Sequence, residues 1–207
     1  MDERRDEFLL EIYRQASSHL NRHILVTWQS IGVVAAALAV FVFGGKQDAP
    51  PSAHIDFIVS AFVVLCAWAI AHLYDAGNWF ERNLHIITNV ERQFLTRKDA
   101  SEIHFYFLSH RQPKLIAHLR IQLAMVETLW AVVLLYHLYA RVYPVLRNFS
   151  VCPEWVVALP YLTSVAGWLY CRHVERDRRL DYEKLRSESP GRAVADQGEY
   201  ESRTTTG

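Results

Sequence analysis

Glu127 is the side chain with the strongest claim to chemistry. It falls about one turn inside an apolar run at 123–143, where a carboxylate costs about 2.5–3.5 kcal/mol at mid-membrane and less nearer the interface. Counted from the same side, Gln29, Ser30, His72, Thr163 and Ser164 reach a comparable depth in three other apolar runs. A polar layer of this kind has the groups to bind a cation, line a water path or relay protons. It equally has the groups that join helices through hydrogen bonds, at about 0.6–2 kcal/mol each. His137 lies deeper, toward the opposite side, beside Tyr136 and Tyr139. A neutral imidazole there can be satisfied by a tyrosine or a backbone carbonyl.

A second set of residues lies outside the apolar runs. Arg22, Trp79, Arg82, His85, Arg92 and Arg97 combine cations with an aromatic face, the chemistry that holds an anionic ligand carrying a ring, such as a nucleotide. His19, Lys98, His104, His110 and Tyr106 are near them in sequence. The plainer account is that these charges orient the chain and attract anionic lipid. Enzymatic motifs are missing: there is no Gly-rich phosphate loop, nucleophile elbow, HExxH or paired carboxylates in a polar region. The chain reads as a non-enzyme with no cofactor. Cys66, Cys152 and Cys171 have neither CxxC nor Cys/His spacing, so neither a metal site nor a disulfide framework is expected. A formal net charge of zero gives no field to recruit nucleic acid.

The elements that must position these groups are four apolar stretches, at 24–43, 57–74, 123–143 and 155–170. Each is near the ~20 residues that a helix needs to cross a bilayer, the last being near the short limit. The fold class expected is all-α: a four-helix transmembrane bundle of two hairpins with cytoplasmic helical extensions. Of the 22 Lys and Arg, all but Lys46, Arg141 and Arg147 lie before the first stretch, between the second and third, or after the fourth. Positive charge resists translocation, so those three segments belong to the cytoplasm. Both termini are then inside, and the loops at 44–55 and 144–154 are outside. The mixed-charge start, Asp2-Glu3-Arg4-Arg5-Asp6-Glu7, does not fit a cleaved secretory signal, so the first stretch is expected to stay as an anchor.

Five segments follow: a cytoplasmic amphipathic helix at 1–23, a first hairpin at 24–74, a cytoplasmic helical segment at 75–122, a second hairpin at 123–171, and a charged helix with a disordered tail at 172–207. Leu9, Ile12, Tyr13, Ala16 and Leu20 recur at helical spacing, as do Phe80, Leu84, Ile87 and Phe94. Each stripe needs a cover, and the two are expected to cover one another. Lys98–Glu102 reads as a turn with a fresh N-cap. The aromatic run Ile103, Phe105, Tyr106, Phe107, Leu108 suits a buried helix, an interfacial helix or a strand. Pro113 suits the first turn of the helix that re-enters the membrane. Gly32 with Ala36, and Ala67 with Ala71, have the small-xxx-small spacing that allows close helix contact.

The helical lead-in at 8–23, the tight hairpin at 24–74 and the long helix opening with Asp75-Ala76-Gly77-Asn78-Trp79-Phe80-Glu81-Arg82-Asn83-Leu84 resemble small membrane effectors of bacterial anti-phage and conflict systems. These include SLATT-type proteins and the transmembrane effectors of cyclic-pyrimidine (Pycsar) signalling. The resemblance is architectural, spans roughly residues 5–175 and carries over no family residue. It implies an inner-membrane, multi-pass effector of antiviral defence that senses a cytoplasmic cyclic nucleotide and impairs membrane integrity or ion balance. A narrow four-helix bundle implies a homo-oligomer for any conducting path, with the lipid bilayer as its other partner. Two alternatives stay open: a constitutive ion or proton pathway using Glu127 and His72, and a membrane scaffold that docks a cytoplasmic partner.

Overall fold

The computed structural model describes residues 3–44, 53–95, 117–147 and 155–188. All elements among them are helical: α1 (Glu3–Gly44), α2 (Ala53–Phe94), α3 (Ala117–His137), α4 (Tyr143–Arg147) and α5 (Leu159–Glu188). A π-helical turn, Leu138–Val142, joins α3 to α4, and a 3-10 turn, Trp155–Ala158, leads into α5. Most of both outer loops, the Lys98 turn, the aromatic run after it, Pro113, Arg97 and the chain beyond Glu188 lie outside the described residues.

α1 and α2 have 42 residues each. That is about 63 Å at 1.5 Å per residue, about twice what a bilayer core requires. Each therefore has an apolar part and an amphipathic part, and the described residues divide accordingly into two compact units. The chain passes between the units inside α1, α2 and α5.

The first unit contains 3–25, 76–95 and 178–188. Ala16 and Leu20 of α1 are buried with Leu84 and Ile87 of α2, flanked by Tyr13, Phe80 and Ile86. The two stripes meet antiparallel. Arg5 donates to Gln93 Oε1 at 3.2 Å, and the Tyr13 hydroxyl donates to Glu91 Oε1 at 3.3 Å. Glu91 lies about 25 Å along α2 from the end of the apolar run at 1.5 Å per residue. Burial pushes its carboxyl above the ordinary glutamate value, against the pull of the Tyr13 hydrogen bond. Along α5, Arg178–Asp181 and Arg179–Glu183 pairs, at 3.7 and 3.3 Å, follow the i,i+3 and i,i+4 rule.

The second unit contains 26–75 and 117–177. α2 is its centre: 56% of its most apolar stretch is buried, against 22% for α1 and 28% for α3 with α4. Val59, Phe62, Val63, Cys66, Ile70 and Leu73 of α2 are buried in it, as are Val34 of α1 and Val126 and Val133 of α3. α5 passes close to α2 at Gly167, where a Cβ would lie 3.0 Å from Ala67 Cβ and 3.2 Å from Trp130 Cη2. One turn on, Cys171 Sγ donates to the Ala67 carbonyl at 3.3 Å. The close contact thus uses Ala67 but not Gly32, which has nothing within 4 Å of where its Cβ would be.

Val33, Val64, Val132, Leu135, Leu162 and Val165 are each more than half exposed on this unit. An apolar surface spread over four helices suits lipid and not water. Among the described residues three helices are long and apolar enough to cross a membrane, formed by α1, α2 and α3 with α4. The sequence pattern suggests four. α5 falls short because its helix starts only at Leu159 and its charges begin at Arg172.

Candidate functional site

Asp56 stands in the first turn of α2, His137 ends α3, and Arg141 is in the π turn beyond. Two antiparallel helices bring the start of one to the end of the other, and here that juxtaposes a carboxylate with two bases. The Asp56 and His137 side chains have no exposed surface, and Arg141 keeps 16%. Arg141 grips both carboxylate oxygens: Nε donates to Oδ1 at 3.1 Å and a terminal nitrogen to Oδ2 at 2.9 Å. His137 Nε2 is 2.8 Å from Oδ1, and its Nδ1 is 3.1 Å from the Tyr161 hydroxyl.

An ionised carboxylate only accepts, so the hydrogen-bond pattern assigns the proton to Nε2 and leaves Nδ1 to accept from Tyr161. Every group is satisfied, and the Asp56 and Arg141 charges cancel. The network ties α2, α3 and α5 together at one end of the unit, with π geometry where Arg141 must reach back. Such turns often mark functional positions. Chemically it is a latch. Removing one partner would strand a buried charge, at about 3–5 kcal/mol.

The polar layer expected from the sequence is only partly assembled. Glu127 and Ser164 line one cavity of about 520 Å³ with Trp130, Tyr74, Trp168 and Arg172. Trp130 Nε1 donates to Ser164 Oγ at 3.1 Å, and Ser164 donates on to the Pro160 carbonyl at 2.7 Å. Ser30 and Thr163 donate to carbonyls of their own helices, Val26 at 3.1 Å and Leu159 at 2.9 Å. Gln29 is exposed. His72 stacks on Trp68 with centroids 5.8 Å apart, and its Nε2 is buried without a hydrogen-bond partner among the described residues. Gln122, 2% exposed, likewise has an amide with no partner among the described residues.

Of the expected ligand-binding set, the structure joins Trp79 and Arg82. The Arg82 guanidinium carbon lies 5.1 Å from the centre of the Trp79 ring, and His23 stacks on the same indole at 6.1 Å and 16°. Trp79 remains 42% exposed. Arg22 is exposed, and His85 stacks instead on Tyr182 at 5.9 Å. The Arg92 side chain and Arg97 are outside the described residues.

Sequence reasoning missed Asp56 and treated Arg141 as an outer-loop charge. The structure corrects this, because Arg141 sits on the helical continuation of α3 and bonds to Asp56. The available signal was an acid at the start of the second apolar run and His137 and Arg141, four residues apart, at the end of the third. A hairpin topology puts both at one level.

No family model matches this chain, nor does any curated protein or solved structure.

Proposed function

We propose that the chain is a multi-pass inner-membrane effector whose resting bundle is sealed and is opened by a small anionic ligand bound on its cytoplasmic unit. In this reading α5 completes the bundle as a short fourth span, and the charged extensions of α1, α2 and α5 are cytoplasmic. The observation that carries it is the Trp79 cluster: a half-exposed indole with the Arg82 guanidinium and the His23 ring against it. That set supplies a stacking surface and positive charge for a nucleobase and its phosphate. α1 and α2 run without a break from this cluster into the apolar unit, so a ligand that prefers one packing of the extensions would bias the bundle. The architectural resemblance to SLATT-type and Pycsar effectors supports a cyclic nucleotide as the ligand and membrane impairment in antiviral defence as the outcome.

Titration of the full-length chain in micelles with cyclic mono- and dinucleotides tests the input. One nucleotide should bind, with Trp79→Ala and Arg82→Ala each losing tenfold or more. Equal binding by both variants would remove the cluster from the mechanism.

The buried Asp56–His137 pair favours a second reading, a constitutive proton or ion pathway. Against it, the buried positions of α3 between Gln122 and His137 are Leu123, Val126 and Val133. An apolar wall of about 20 Å, at 1.5 Å per residue, thus separates the polar ends of α3, which supports a closed bundle.

A further inference from the structure

Glu127 presents a problem that the described residues do not solve. It is exposed on α3 inside a stretch apolar enough to span a membrane, and it makes no hydrogen bond or ion pair among the described residues. A carboxylate so placed is costly unless a partner reaches it. The cavity that it lines has an apolar wall of Ile70, Leu134 and Val165 and a second charge, Arg172, at its edge. Arg172 leans on Trp168 at 6.0 Å and gives one hydrogen bond to Glu175, at 3.2 Å. A guanidinium has five N–H donors, so most remain for a ligand.

We infer that this cavity is a binding site for a zwitterionic phospholipid with a primary ammonium, phosphatidylethanolamine by class. The inference rests on the membrane reading but not on the nucleotide. The charges are complementary in kind, one anion and one cation lining the same cavity. Arg172 begins the charged part of α5, at headgroup level, and meets the phosphate. Glu127, on the same cavity, accepts from the ammonium of a headgroup that lies along the membrane surface. An acyl chain lies along the wall of Ile70, Leu134 and Val165. Trp130 is held by its bond to Ser164 and gives that wall a fixed aromatic face. The volume, about 520 Å³, is within the roughly 300–1,000 Å³ usual for small-molecule sites. Phosphatidylcholine fits less well because its ammonium has no N–H to give Glu127. Phosphatidylglycerol offers Glu127 only neutral hydroxyl donors and no cation to balance the carboxylate.

Native mass spectrometry of the full-length chain in detergent, titrated with each of the three lipids, tests this. The expected result is one phosphatidylethanolamine retained per chain, at least tenfold more readily than either other lipid. Glu127→Gln should abolish that preference while leaving helix content by circular dichroism unchanged. Arg172→Gln should weaken retention of all three. Equal retention of the lipids by the unaltered chain would overturn the proposal, as would a preference that survives Glu127→Gln. Displacement by equimolar glycerophosphoethanolamine would identify a soluble headgroup ligand and overturn the lipid assignment. A preference that appears only in dimers would do the same in favour of a second copy of the chain. None of these outcomes bears on nucleotide binding at Trp79.

Discussion

Asp56 accepts hydrogen bonds from Arg141 and His137 with no surface left for water, so its energetic role is read by removing one partner and then both. Asp56→Ala or Arg141→Ala alone should cost about 3–5 kcal/mol, because each strands the other's charge. Asp56→Asn combined with Arg141→Met should cost clearly less than the sum of those two changes made singly. Denaturant unfolding in mixed micelles reads this cycle, and strictly additive losses would refute the pairing. Glu91 is a milder case. Burial raises its carboxyl above the ordinary value, so the folded state holds the proton more tightly than the unfolded state does. The resulting stability is fully present below the unfolded pKa and is lost as pH rises through the folded one. Glu91→Gln should therefore flatten the acid-to-neutral decline in melting temperature, while its amide oxygen still accepts from Tyr13. An unchanged slope would show that other groups set it.

Among the helices, close packing and open surface separate the two glycines. A side chain at Gly167 would press on Ala67 and the Trp130 ring, so Gly167→Val should cost about 1–3 kcal/mol. Gly32 faces open space, and Gly32→Ala should gain up to about 1 kcal/mol from helix propensity. Thermal unfolding of the two variants checks the contrast, and a reversed order would contradict the packing of α5 on α2. These positions also show what the sequence made legible. The stripes of α1 and α2 were readable because Ala16, Leu20, Leu84 and Ile87 keep helical period and find each other. The close contact was not, because small-xxx-small spacing is shared by Gly32 and Ala67 and only the third dimension chooses between them. Glu127 and Ser164 could be matched by depth. Depth says nothing of azimuth, and Gln29, Ser30 and Thr163 turn out to face other surroundings. Asp56 escaped notice because a charge at the end of an apolar run reads as a boundary until its partner is seen.

For the whole molecule, the account joins an exposed apolar surface, a latched end and a cation–aromatic cluster into one device. The apolar surface puts the second unit in lipid. In the proposed function, the latch and the apolar wall along α3 keep it sealed, and the helices continuing from the Trp79 cluster give a ligand its leverage. Ion leakage from liposomes holding the purified full-length chain measures that claim most directly, with and without a panel of cyclic nucleotides. The account predicts tight vesicles for the unaltered chain, leakage on adding one nucleotide, and leakage without any nucleotide for folded, inserted Asp56→Ala. Unaltered chain that leaks with no ligand would contradict it. So would vesicles of both proteins, shown to hold folded protein, that stay tight with every nucleotide.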